Sequence, residues 1–169
     1  MVLNLLLSQT PEDIRTIFEK SFAAYQRFHA KGDRAKANAQ KDLWSDFQNH
    51  LVLLKEEGFV GDNDRLTENG IWASKLRLDQ PLLIAECLRQ GALPREDESL
   101  FAAAIAPFVY DGDQDAALIK KELPKRLTRS YNRVIKTVKP LYERMEKRGF
   151  SVSPLLLWPA AVIYEWAIG

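Results

Sequence analysis

The feature that most constrains this chain is a regular hydrophobic repeat in a basic segment of its C-terminal third. Large apolar residues there follow a 4-3-4-3-4 spacing, at Leu127, Tyr131, Val134, Val138, Leu141 and Met145. This spacing returns side chains to one face of an α-helix, so it predicts a helix from about Pro124 to Arg148 with one face packed. Pro140 lies within the repeat and is expected to kink the helix, because proline lacks an amide hydrogen and crowds the preceding turn.

The same segment concentrates positive charge. Residues 120–148 contain eleven Lys or Arg and three Glu, whereas the whole chain has a net charge of only +1. Four of these cations lie off the apolar repeat at three- and four-residue steps, and should share an adjacent helix face: Arg126, Arg129, Arg133 and Lys136. Such a face binds a polyanion such as a nucleic-acid backbone, or it pairs with acids of the same chain. The spacing is compatible with both interpretations.

The remaining sequence predicts a mainly α-helical fold. A threonine before a proline begins a helix at Pro11, and three- and four-residue apolar spacing continues in later segments. The expected helices cover about 11–29, 42–57, a short stretch that Thr67 is positioned to cap, 81–90, a stretch that opens between 94 and 98 and runs to 109, and 155–168. Residues 31–41 are polar and charged, which predicts a linker or an exposed helical connection.

One small β element is expected between two of these helices. Phe59-Val60 and Arg65-Leu66 flank a Gly-Asp-Asn-Asp turn, a pattern typical of two very short strands in a β-hairpin. Helix, hairpin and helix form the skeleton of a winged-helix unit. We therefore predict a winged-helix-like unit over 42–77 and a helical bundle over 78–169.

Several other side chains have both a functional and a structural interpretation. Lys75 and Arg77 add to the basic character of the predicted winged-helix unit, and join the nucleic-acid-binding candidates, although a solvated face also explains them. Glu86 lies on an apolar helix, where a carboxylate needs a structural partner such as an arginine. The tryptophans at 72, 158 and 166 have apolar neighbours and are expected in the core.

Composition and motif content exclude several classes of protein. No apolar stretch is long enough to span a bilayer, and the N-terminus has no basic leader or cleavage pattern, so a cytoplasmic location is expected. Cys87 is the only cysteine, and the two histidines have no metal-binding spacing, so neither a disulfide nor a metal site is predicted. No nucleophile and base pair is recognisable, so no catalytic residue is proposed.

Three stretches carry a resemblance to a known family. They are MVLNLLLSQTPEDIRTIFEKSFAAYQ at 1–26, LTENGIWASKLRLDQPLLIAECLRQGAL at 66–93 and LWPAAVIYEWAIG at 157–169. Together they resemble the C-terminal, DSHCT-type region of DExH-box superfamily-two RNA helicases of the exosome-cofactor and antiviral group. The resemblance implies that 1–30 is a helix left from the end of the second motor domain, and that the bundle is truncated at its C-terminal end.

The resemblance implies an accessory region that guides or binds single-stranded RNA and braces the motor domains of the same parent protein. The chain lacks a phosphate-binding G-x-x-x-x-G-K-[ST] sequence, so ATP and Mg²⁺ would be cofactors of the parent helicase and not of this segment. The alternative is a docking module without RNA contact, which would show an exposed apolar patch on the last helix. An independent enzyme is the least supported class.

Overall fold

The computed structural model describes residues 2–28, 33–76, 80–110 and 123–169, with 21–28 and 33–43 described by their backbone only. These residues form eight α-helices: α1 (Val2–Leu5), α2 (Pro11–Phe28), α3 (Asp33–Glu56), α4 (Glu68–Ser74), α5 (Pro81–Arg89), α6 (Glu98–Val109), α7 (Lys125–Lys147) and α8 (Leu157–Ile168). The mainly α-helical class is therefore confirmed. None of the helices described here is both long enough and apolar enough to cross a membrane.

The chain divides into two compact units, Met1–Lys75 and Leu76–Gly169. In the first unit, α1 contacts α3 and α4, and α2 packs along α3. The buried residues are mainly aliphatic and aromatic: Leu3, Leu6, Ile14, Phe47, Leu53, Leu54, Phe59 and Val60. The helical start predicted at Pro11 is confirmed, since the Thr10 hydroxyl accepts from the amide of Asp13 at 3.2 Å. The Asp13 carboxylate in turn accepts from the Thr10 amide, which lowers the pKa of that carboxyl.

The predicted β-hairpin is not supported as a pair of strands. Among the described residues, Val60 and Leu66 form one isolated antiparallel bridge and no ladder. The amide of Val60 donates to the carbonyl of Leu54 at 3.1 Å, as part of the C-terminal end of α3. Because α4 begins at Glu68, no residues remain to extend the pairing. The winged-helix-like unit expected over 42–77 is accordingly not supported.

A close contact joins α4 to the end of α3. The Thr67 hydroxyl donates to the carbonyl of Gly58 at 2.7 Å and accepts from the amide of Gly70 at 3.2 Å, so its predicted capping role is confirmed. A Cβ at Gly70 would lie 2.0 Å from the carbonyl oxygen of Phe59. Only a residue without a side chain allows the two backbones to approach this closely.

The second unit is a helical bundle in which α7 contacts α5, α6 and α8, and α6 packs on α8. Small side chains allow α6 and α8 to approach closely, with Ala103 facing Ala160 and Ala161 in one buried cluster. The apolar helix predicted from Pro81 is α5, whose Leu83, Ile84 and Cys87 are at most 1% exposed. Burial of these residues supplies the hydrophobic contribution to the stability of the bundle.

Residues 33–41, predicted as a linker or an exposed helical connection, are helical and form the first part of α3. Ala, Lys, Arg and Gln dominate this stretch, and their high helix propensity extends a helix even without a strong apolar face. Along the chain, the boundary between the two compact units falls between Lys75 and Leu76, close to the predicted boundary between 77 and 78. The assignment of 1–30 to a motor domain stays a prediction.

Candidate nucleic-acid interface

The apolar repeat of α7 fixes the orientation of this helix in the bundle. Leu127, Val134, Val138 and Leu141 are each at most 2% exposed, which confirms the predicted packing face. The helix runs without interruption through Pro140, which lies exposed on the opposite side. Pro140 has no amide hydrogen to donate to the carbonyl of Lys136, one turn earlier. On the exposed side of the helix, water can solvate that carbonyl instead.

Two tyrosines of α7 anchor the segment that precedes α8. The hydroxyl of Tyr131 donates to the carbonyl of Leu155 at 2.5 Å, and that of Tyr142 to the carbonyl of Val152 at 3.4 Å. Burial raises the pKa of Tyr131, so its phenol stays protonated and available as a donor. Burial, with a smaller contribution from Glu146, also raises the pKa of Tyr142. These contacts hold both aromatic rings away from the outer face of α7.

The outer face of α7 is a basic surface. It carries the four cations named from the sequence and two that were missed: Lys125, Arg126, Arg129, Arg133, Lys136 and Lys139, all of them exposed. No Asp or Glu occurs between Lys125 and Tyr142. Lys139 follows Lys136 by three residues, so the same helical spacing was the signal that could have found it. We call these six residues the α7 basic face.

Two members of the α7 basic face have partners elsewhere in the bundle. Nη2 of Arg126 lies 2.7 Å from Oδ2 of Asp97, and Nη2 of Arg133 donates to the carbonyl of Gly91 at 2.8 Å. The side chain of Arg126 nevertheless stays 69% exposed. An ion pair this exposed contributes little stability, and the guanidinium has further donors for a ligand.

Other members have weaker interactions or none with the residues around them. Lys139 lies 3.8 Å from Glu143, one helical turn away, and both side chains are exposed. The side chains of Arg129 and Lys136 make no ion pair or hydrogen bond with any residue in the described ranges. The acids in the described part of the chain therefore neutralise only part of this surface.

The remaining predicted site residues are not on α7. Lys75 is the exposed C-cap of α4 in the first unit, and Arg77 lies outside the described residues. Glu86 is buried on α5, where its carboxylate accepts hydrogen bonds from Arg89 and, at 3.1 Å, from the side-chain amide of Gln90. This arrangement gives the carboxylate the local partners that a charge on an apolar helix needs.

The tryptophan predictions were wrong in two of three cases. Trp72 is 43% exposed and Trp166 is 79% exposed. Both side chains are therefore exposed at the surface of their units instead of being buried in a core. Trp158 is partly buried and meets the ring of Tyr110 edge to face, with 4.4 Å between centroids. Apolar neighbours along the chain do not determine whether a side chain is buried, because a helix at the surface of a unit also has a side that faces solvent.

The described side chains offer no constellation for metal chemistry. No group of three or more His, Cys, Asp and Glu among them could hold a metal ion. The basic face can attract and neutralise a polyanion, because clustered cations displace the condensed counterions of a phosphate chain.

Sequence similarity places this chain in a known family. Residues 63–169 match the DSHCT (NUC185) domain, and the chain belongs to this family, which confirms the resemblance drawn from the sequence. Over 164 residues it is 26% identical to mRNA transport homolog 4 of Caenorhabditis elegans, covering 94% of this chain and 16% of that protein. Over 89 residues it is 29% identical to the probable helicase HelY of Mycobacterium leprae (strain TN), covering 51% of this chain and 10% of that protein.

Proposed function

We propose that this chain is an accessory region of an ATP-dependent RNA helicase and that the α7 basic face binds the backbone of single-stranded RNA. Membership of the DSHCT family and similarity to a protein named as a probable helicase support the first part. The second part depends on one observation, namely six exposed cations along α7 without an intervening acid. ATP and Mg²⁺ would act at the motor domains of the parent protein.

The geometry favours contact with phosphates over contact with bases. Specific recognition of single strands commonly uses aromatic side chains on which bases stack. The two aromatic residues of α7, Tyr131 and Tyr142, have their hydroxyls bound to Leu155 and Val152. What the outer face offers is guanidinium and ammonium groups, which neutralise phosphates without reading sequence. Binding should therefore be insensitive to base sequence and steeply dependent on salt.

The test compares RNA binding by two charge-matched variants of the chain. Arg129→Gln with Lys136→Gln removes two cations from the α7 basic face, and Lys20→Gln with Arg65→Gln removes two exposed cations from the first unit. Binding to a labelled oligouridine would be followed by fluorescence anisotropy between low and moderate salt. With roughly 0.7 released counterions per phosphate contact, the first variant should flatten the log–log salt slope by about 1.4.

The control variant should keep the wild-type affinity and salt slope. Equal weakening by both variants would indicate a net-charge effect and would contradict a localised interface. Wild-type affinity in both variants would remove the α7 basic face from the proposed function.

We propose as a second candidate that the chain docks onto the motor domains of its parent helicase and so braces them. The observation that favours docking is the apolar outer side of α8, where Val162 is 53% and Trp166 is 79% exposed. Substitution of both by Gln should weaken association with the separately expressed motor domains, while RNA binding by the isolated chain stays unchanged. Loss of RNA binding without loss of docking would exclude this role for α8.

A further inference from the structure

Guanidinium groups from two different elements gather at the C-terminal end of α5. Arg133 of α7 donates to the carbonyl of Gly91 at 2.8 Å, and Arg95 donates to the carbonyl of Leu88 at 3.3 Å. The amide of Gly91 donates to the same Leu88 carbonyl at 3.2 Å. The two acceptors therefore belong to one turn of backbone, which brings both arginines to one place on the surface.

Both arginines keep most of their hydrogen-bonding capacity. Each is exposed, and each contact uses a single nitrogen of a guanidinium that carries five N–H donors. The contact to backbone restricts the rotamers of these long side chains before any ligand binds, which reduces the entropy lost on binding. Two held guanidinium groups with free donors suit a phosphate, whose oxygens accept paired hydrogen bonds from arginine.

The acids near Arg95 and Arg133 in sequence or in the fold have other partners or face solvent. Glu86 accepts from Arg89 and Gln90, and Asp97 accepts from Leu100 and Arg126. Glu96 and Glu98 are exposed neighbours in sequence, and Glu98 lies in the first turn of α6, where the helix dipole favours a carboxylate. No ion pair joins Arg95 or Arg133 to an acid within the ranges that the structure describes.

We propose that Arg95 and Arg133 together bind one phosphate of the RNA, so that the strand crosses from the α7 basic face onto the connection between α5 and α6. This inference rests on the proposed RNA-binding function and adds Arg95, which the sequence patterns did not single out. A purely structural explanation is that both arginines cap the carbonyls at the end of α5. The two explanations differ in what RNA binding does when Arg95 is replaced.

The experiment measures oligouridine binding by Arg95→Gln, Arg133→Gln and the double variant, with Arg65→Gln in the first unit as the matched control. Each single change at the proposed site should weaken binding about three- to tenfold. The double variant should lose less than the product of the two single effects, because a shared phosphate is lost only once. Circular dichroism and urea unfolding would verify that each variant is folded.

Wild-type binding by Arg95→Gln, alongside weakened binding by Arg129→Gln with Lys136→Gln, would overturn this inference and leave the proposed function intact. Wild-type binding by all of these variants would overturn both. Multiplicative single effects would show that Arg95 and Arg133 bind separate phosphates, which contradicts the shared site. A loss of stability with unchanged RNA affinity would identify Arg95 as a helix cap only.

Discussion

Arg126 and Asp97 form an ion pair, with 2.7 Å between Nη2 and Oδ2, and the other oxygen of the same carboxylate caps α6. Oδ1 of Asp97 accepts from the amide of Leu100 at 2.9 Å. One side chain therefore begins a helix and also neutralises a cation of the α7 basic face. The two roles can be separated, because asparagine is an N-cap as good as aspartate but carries no charge.

Asp97→Asn should increase RNA affinity about two- to fivefold, since it releases Arg126 from an exposed ion pair whose contribution is at most about 1 kcal/mol. The salt slope should steepen by about 0.7 if Arg126 gains one phosphate contact. Anisotropy titrations at two salt concentrations would measure both quantities. The free energy of unfolding should change by less than about 0.5 kcal/mol, because the cap is kept.

Two further variants separate charge from capping at this position. Glu96→Gln removes an exposed neighbouring charge without a link to Arg126, and should increase RNA affinity less than Asp97→Asn. Asp97→Ala removes the cap as well, and should destabilise the second unit by about 1 kcal/mol. Equal gains in affinity for Asp97→Asn and Glu96→Gln would mean that the ion pair does not compete with RNA.

Gly70→Ala should destabilise the first unit, although alanine has the higher helix propensity. The new methyl group would lie 2.0 Å from the carbonyl oxygen of Phe59, so α4 would have to move away from the end of α3. We expect a loss of about 1 to 3 kcal/mol, typical of overpacking. Urea unfolding would measure it, with exposed Asn69→Ala on the same helix as the control. A gain in stability for Gly70→Ala would contradict the close approach.

The buried thiol of Cys87 should make stability fall at alkaline pH. Burial, with a smaller contribution from Glu86, raises the pKa of Cys87 from 9.0 to about 12. The unfolded chain then releases a proton at lower pH than the folded chain, so the free energy of unfolding decreases as pH rises from about 9 to about 12. For one proton the slope is at most about 1.4 kcal/mol per pH unit.

Urea unfolding at several pH values between 8 and 10.5 would measure that slope, roughly spanning the onset of thiol ionisation. Cys87→Ala should show a shallower decline than the wild type, whatever its stability at neutral pH. Other groups, including Tyr131, titrate equally in both proteins. Parallel curves for the two proteins would show that the thiol ionises alike in the folded and unfolded states.

Trp166→Gln should change the free energy of unfolding by less than about 0.5 kcal/mol, because the side chain is 79% exposed. Trp158→Ala should cost more than about 1 kcal/mol, since it removes the edge-to-face contact with Tyr110. Thermal unfolding would compare the stabilities of the two variants with that of the wild type. Acrylamide should quench less of the fluorescence after Trp166→Gln than after Trp158→Ala, and the reverse order would contradict the observed exposure.

The sequence predicted local features well where the determining residues are neighbours along the chain. The α7 repeat, the cap at Thr67 and the helix start at Pro11 each depend on residues within a few positions of one another. It overestimated the hairpin, because Val60 pairs with Leu66 in a single bridge while its amide donates to Leu54 at the end of α3. Turn-forming residues are compatible with a single bridge as well as with a longer hairpin.

The candidate interface was predicted in part. Helical spacing alone places Arg126, Arg129, Arg133 and Lys136 on one face. Arg95 was missed, because its proximity to Arg133 arises only when α7 packs against the end of α5. Exposure of Trp166 was missed for a related reason, since apolar character along a helix does not specify which side meets another element.

The sequence by itself determined that this protein is helical, that α7 packs through one face and that positive charge is concentrated in a single segment. Tertiary structure alone decided which cations have partners, since Arg126 meets an acid 29 residues away and Arg133 a carbonyl 42 residues away. Helical periodicity depends on residues only a few positions apart, so the order of residues is enough to predict it. Contacts across tens of residues depend on how the helices pack, which no short stretch of sequence specifies.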